Sequence, residues 1–149
     1  MKSNDDKITI IMVEDDEGHA RLIEKNLRRS GIMNEFLHFD NGRSVLEYFK
    51  NETMDEDQHE KTLVLLDLNL PEIDGFEVLE QLKLDERTKK IPVIILTTTS
   101  NPREIDKCYE LGCNIYITKP VDYQNFSEAL TKLGMMLAVV KIPNAVEDK

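Results

Sequence analysis

Four short stretches of the chain end in residues able to do chemistry: the acidic run Glu14-Asp15-Asp16, the aspartate Asp67, the threonine Thr97 and the lysine Lys119. Carboxylates, one hydroxyl and one ammonium brought to a single point suit phosphoryl transfer onto a carboxylate. Several carboxylates close together repel one another and favour a hard divalent cation. Mg²⁺ takes an octahedral oxygen shell from one or two carboxylates, substrate phosphate and water, with Mn²⁺ as the alternative ion. Such an ion neutralises charge on the moving phosphoryl group and leaves Asp67 as the nucleophile. Lys119 can then pair with a phosphoryl oxygen as a point charge, and Thr97 can donate a hydrogen bond to another. Taken singly, each residue has an ordinary use. Asp16 is an obvious helix cap, Thr97 is a β-former, and lysines are mostly surface residues. The functional reading depends on their coming together.

The elements that must position them alternate between short apolar runs and amphipathic stretches. Lys7 to Val13 reads as a buried strand. Glu17 to Ser30 follows as a helix, with Ala20, Ile23 and Leu27 on one face and Gly31 as its stop. Glu35 to Phe39 is a short strand, and Asn41 caps a helix whose apolar face is Val45, Leu46 and Phe49. Asn51 to Lys61 is polar, acidic and aperiodic, an exposed loop longer than a compact α/β connection needs. Thr62 to Asp67 is the most apolar strand and should be central. Phe76 to Leu84 is a helix with Val78, Leu79 and Leu82 inward, and Ile91 to Thr97 is another buried strand. Pro102 opens a helix to Leu111 that Gly112 stops. Asn114 to Thr118 is the last strand, and Asp122 caps a final helix through about Val140. Five repeats of strand then helix imply an α/β fold, a parallel sheet with helices on both faces. In such sheets, sites form beyond the carboxyl ends of the strands. That is where Glu14, Asp67, Thr97 and Lys119 fall.

Composition sets the outer limits. The chain has 149 residues, enough for one domain with a complete core and no second one. The expected division is a single domain over 1–149, with a core of about 7–140, a tail over 141–149 and no output domain. A net charge of −10 argues against a nucleic-acid surface, since that affinity comes from Lys and Arg contacts to phosphate. The longest apolar run, Met135 to Val140, is too short to span a membrane, and MKSNDDK carries no signal-peptide pattern, so a cytoplasmic location is expected. Cys108 and Cys113 match no metal or redox spacing and read as small buried apolar side chains. His19, His38 and His59 lack ligand spacing and read as separate surface residues.

The stretches VEDD, LLDLNLPEIDG, ILTTTS and YITKP, in that order, resemble the receiver domains of bacterial two-component response regulators. The likeness spans roughly Ile8 to Leu137. It implies a doubly wound, flavodoxin-like five-stranded parallel sheet of order 2-1-3-4-5. It also implies a role for each matching residue. Asp67 is the phosphoacceptor of a sensor histidine kinase. Asp15 ligates the metal directly together with Asp67, Glu14 acts through water, and the backbone carbonyl of Asn69 completes the metal site. Thr97 moves toward the phosphoryl group and Tyr116 swings inward behind it as a switch. Lys119, preceding a cis-proline at Pro120, contacts the phosphoryl group. The chain departs from the minimal type in its long acidic loop and in having Glu14 where Asp is commoner. These departures, with EDDEGHARLIEK and the LTTT run, resemble the small receivers that partner bacterial and cyanobacterial phytochrome kinases.

The last helix is apolar on more than one side, because Met135, Met136, Ala138 and Val139 add to the face of Phe126, Ala129, Leu130, Leu133 and Leu137. That excess points to a homodimer through Tyr116, Met135, Met136, Leu137, Val139, Val140 and Ile142. Function then reduces to a single-domain regulator that self-phosphorylates and slowly self-dephosphorylates but turns over no substrate. Two alternatives stand beside it: an aspartyl-phosphate phosphohydrolase, and a receiver-like binding module that takes no phosphate. Haloacid-dehalogenase-like hydrolases want a second aspartate two residues after the first, and here that residue is Asn69. Intact Asp15, Asp67, Thr97 and Lys119 disfavour the inert module.

Overall fold

The computed structural model describes residues 8–29, 33–51 and 61–119, together with Gln124 and Glu128. Within these ranges the chain alternates β1 (Thr9–Val13), α1 (Glu17–Arg29), β2 (Phe36–Phe39), α2 (Gly42–Asn51), β3 (Thr62–Leu66), α3 (Gly75–Leu84), β4 (Val93–Thr97), α4 (Pro102–Leu111) and β5 (Ile115–Thr118). The five strands form one sheet of order β2-β1-β3-β4-β5, and every neighbouring pair is parallel. The expected α/β doubly wound topology is therefore the observed one. The segment 52–60, within the expected acidic loop, lies outside the described residues. So do Pro120 and the expected final helix and tail, apart from Gln124 and Glu128.

Alternation along the strands divides the core in two. Ile11, Val13, Val64, Leu66, Val93 and Ile95 point to one face, where Val45 and Phe49 of α2 and Val78, Leu79 and Leu82 of α3 cover them. Ile10, Met12, Leu63, Leu65, Ile94 and Leu96 point to the other, against Ala20, Ile23 and Leu27 of α1. Burial on both faces explains why the central strands read as unbroken apolar runs rather than alternating ones. Cys108 and Cys113 belong to the first cluster, and burial pushes their thiols up to about 11 and about 12.

The caps expected at Asp16 and Asn41 form, and Asp74 and Asn101 add two more; the expected stop at Gly31 and cap at Asp122 lie outside the described residues. Asp16 Oδ1 accepts from the His19 amide at 3.0 Å, Asn41 Oδ1 from Ser44 at 2.8 Å and Asp74 Oδ1 from Glu77 at 3.0 Å. Asn101 Oδ1 accepts from Arg103 at 2.9 Å, and Pro102 opens α4. Gly112 ends α4 with φ at 110°, a left-handed conformation that glycine adopts without steric penalty.

The turn from β3 into α3 is the tightest approach among the described glycines. A Cβ at Gly75 would stand 2.3 Å from the Asp67 carbonyl oxygen and 2.5 Å from Leu68 Cα, both backbone atoms that cannot yield without moving the strand end. The Gly75 amide donates to the Leu68 carbonyl at 2.9 Å, which ties the start of α3 to the residue after Asp67. Gly75→Ala is expected to destabilise the protein by about 3 kcal/mol, the upper part of the overpacking range, read from denaturant unfolding.

Candidate functional site

Parallel register brings the chemistry-bearing residues together. Val13 pairs with Leu66, so the next residues, Glu14 and Asp67, lie side by side just past the ends of β1 and β3. The Asp67 amide donates to the Val13 carbonyl at 3.1 Å, and the Glu14 amide to the Phe39 carbonyl at 2.9 Å, carrying the ladder one step into the site. Thr97 pairs with Thr118, and the Lys119 amide donates to the Thr97 carbonyl at 2.6 Å.

The centre of the site is a buried ion cluster. Lys119 Nζ donates to Glu14 Oε1 at 2.5 Å and to Asp67 Oδ2 at 3.2 Å, and all three side chains are nearly inaccessible. Glu14 Oε2 accepts from the Asp16 amide at 3.1 Å, so both Glu14 oxygens have protein donors. Burial holds the Glu14 carboxyl above the usual carboxylate range, against the lowering effect of the Lys119 hydrogen bond, and nearby Asp67 adds to the rise. Asp16, which caps α1 through the His19 amide, is held below that range by this hydrogen bond.

Asp15 is exposed at the rim. One carboxylate oxygen each from Glu14, Asp15 and Asp67 lies within 4.8 Å of the others, a set of hard oxygen donors able to hold a metal ion. Three carboxylates against one ammonium leave the site negative, and a divalent cation supplies the missing charge.

Thr97 and Tyr116 sit on the other side. Thr97 is fully buried; its Oγ1 lies 3.4 Å from Asn69 Nδ2, which is also 3.3 Å from Thr98 Oγ1. The Asn69 amide donates to Asp67 Oδ1 at 3.1 Å. Tyr116 packs against the α2–α3 side of the core, and its hydroxyl donates to the Thr99 carbonyl at 2.8 Å. The structure thus brings Glu14, Asp15, Asp67 and Lys119 together, with Thr97 tied to Lys119 through the backbone and its hydroxyl near Asn69 Nδ2.

Sequence reasoning missed two residues here. His19, read as a separate surface histidine, places Nδ1 3.3 Å from Lys119 Nζ and 3.9 Å from Glu14 Oε2. His38 Nε2 lies 2.7 Å from the Glu14 carbonyl oxygen. The signal for His19 was its place three residues after the Asp16 cap, which turns it back over the start of the helix. His38 had no local signal, because only the β1–β2 register puts it beside Glu14. His59 lies outside the described residues.

The family model for the response regulator receiver domain matches residues 10–131. The chain belongs to that family. Among curated relatives it is similar to the response regulator Rcp1 of Synechocystis sp., with 37% identity over 97% of this chain and 98% of Rcp1. Among solved structures it is similar to a response regulator receiver domain from Rhodospirillum rubrum, at 48% identity and a TM-score of 0.71, covering 89% of this chain and 94% of that one. It is also similar to the phosphorylated cyanobacterial phytochrome response regulator RcpA, at 34% identity and a TM-score of 0.70, covering 85% and 91%. As a receiver it is a response regulator of a phosphorelay that interacts with a histidine kinase, and no helix among its described residues is long and apolar enough to cross a membrane.

Partial burial raises the Tyr116 phenol to about 12 from 10.0. A raised folded value means that its contribution to stability is complete below pH 10 and is lost as pH climbs through the folded value. The ultraviolet titration of this receiver, minus that of Tyr116→Phe, should show a phenolate component with its midpoint near 12. A component centred at 10 would mean that this cover is absent.

Proposed function

We propose that Asp67 is the phosphoacceptor and that its phosphorylation, with Mg²⁺ bound, switches the surface this receiver shows to its partners. The observation that carries this reading is the Asp67 carboxylate, buried beside Glu14 and Asp15 with the Lys119 ammonium 3.2 Å away. An Asp67 oxygen attacks the phosphorus of the kinase phosphohistidine; the new P–O bond forms as the P–N bond breaks and the imidazole nitrogen leaves. A bound divalent ion neutralises charge on the phosphoryl oxygens. Asp15, Asp67 and the Asn69 carbonyl would hold it, with Glu14 acting through water, a role supported by the engagement of both its oxygens with protein donors.

Lys119 carries the positive charge that meets a phosphoryl oxygen once Asp67 is phosphorylated. Thr97 and Tyr116 carry the switch. The Asn69 contact and the Tyr116 bond to Thr99 tie both ends of the Thr97–Thr99 segment to flanking elements, so movement of Thr97 pulls on Tyr116. Pro120 as a cis-proline is the remaining part of this assignment.

The partner in this reading is a phytochrome-type sensor histidine kinase, supported by the kinship with RcpA. The receiver's chemistry ends at phosphorylation and slow self-dephosphorylation, in the cytoplasm, without substrate turnover. Incubation with Mg²⁺ and acetyl phosphate should add one phosphoryl group by intact mass, and Asp67→Asn should abolish the adduct. Asp15→Asn should weaken Mg²⁺ binding roughly tenfold or more. No adduct together with unchanged Mg²⁺ affinity would sink the proposal.

A homodimer completes this reading. Its support is the apolar sequence from Met135 to Val140 with Ile142, together with the place of Tyr116 on the edge strand. Sedimentation should find Leu137→Arg monomeric where the parent chain is dimeric; a dimeric variant would count against this interface.

A further inference from the structure

A lysine ammonium has three N–H donors and no acceptor. Lys119 Nζ meets three acceptors: Glu14 Oε1 at 2.5 Å, Asp67 Oδ2 at 3.2 Å and His19 Nδ1 at 3.3 Å. Two are carboxylates at strand ends, on the floor of the site. The third is an imidazole on the first turn of α1, with about half of its side chain exposed at the rim. Because Lys119 can only donate, Nδ1 must be the unprotonated nitrogen in this contact. We propose that His19 is a positioning residue for Lys119, the third leg of a tripod that holds the ammonium at the mouth of the phosphoacceptor site.

The imidazole does what a third carboxylate could not. Two carboxylates alone would draw the ammonium down onto the floor, away from an arriving phosphoryl group. A further carboxylate at the rim would hold the ammonium outward but repel that group. A neutral acceptor at the rim opposes the pull without adding negative charge. Once Asp67 is phosphorylated, its oxygen is a poorer acceptor, and Lys119 must turn one N–H to a phosphoryl oxygen. Glu14 and His19 then remain to fix the other two. His19 therefore belongs to the charge-stabilising part of the site through Lys119, with Glu14 Oε2 and Asp16 Oδ2 each 3.9 Å from the same ring nitrogen.

The consequence for rate rests on the phosphoacceptor reading of Asp67, whereas the contact itself does not. The test accordingly has two arms. In metal-free, unphosphorylated protein labelled with ¹⁵N-histidine, the His19 Nδ1 resonance should move toward the free-imine position in Lys119→Met. With Mg²⁺ and acetyl phosphate, His19→Leu should be phosphorylated about fivefold more slowly, the loss of roughly one hydrogen bond. His19→Asn, which keeps an acceptor at the δ position, should stay within about twofold of the parent. An unmoved His19 nitrogen, or equal slowing in the Leu and Asn variants, would overturn the tripod. A responsive nitrogen in a parent protein that takes no phosphoryl group supports the contact and sinks the phosphoacceptor reading instead.

Discussion

Placing Glu14 and Asp67 side by side beneath the surface takes two carboxylates out of water and sets them against each other, and the Lys119 ammonium between them is what makes that arrangement tolerable. Each of the three would be costly to bury alone. Together they depend on β1, β3 and β5 ending at one level, because a slip of one residue in any strand would send its site residue to the other face of the sheet. The compensation is incomplete, because two carboxylates share one ammonium. That leftover negative charge, with Asp15 at the rim, is also what makes the site attractive to a divalent cation. Stability and metal affinity are thus in tension at the same atoms.

The two faces of the sheet divide the work. Alternation sends Glu14, Asp67 and Lys119 toward the α1 side, where His19 joins them. Thr97 and Tyr116 go to the opposite side, over α2 to α4. Asn69 is the link, its amide on Asp67 and its side-chain nitrogen near Thr97 and Thr98. A charge change at Asp67 therefore has a short covalent and hydrogen-bonded route to the Thr97–Thr99 segment. At the end of that segment the Tyr116 hydroxyl, on the edge strand, donates to the Thr99 carbonyl. Small local events gain distant readouts when they bias such a connected element.

The approach of α3 to β3 explains why LPEIDG reads as it does. Gly75 lets the helix start close against the backbone of Asp67 and Leu68, and Asp74 caps it. The turn before it also strains one residue: Glu72 has φ at 65°, unusual for a side chain of its size, and its carboxylate pairs with Arg43 of α2 at 3.3 Å. An exposed pair of this kind contributes little. The tight β3–α3 packing, rather than the pair, is the stronger reason for the conformation.

The sequence by itself determined the order of elements, the parallel sheet and the strand-end location of Glu14, Asp67, Thr97 and Lys119. Strand and helix periodicities are local, and buried parallel strands announce themselves as unbroken apolar runs such as TLVLL. The caps at Asp16, Asn41 and Pro102 were legible for the same reason. Only the tertiary structure decided who touches whom. Lys119 lies 105 residues from Glu14, and nothing local says that its three donors go to Glu14, Asp67 and His19. The same holds for His38 against the Glu14 carbonyl and Tyr116 against Thr99. Those contacts follow from register and from which face each side chain takes, and both are fixed when the strands pair rather than along any one of them.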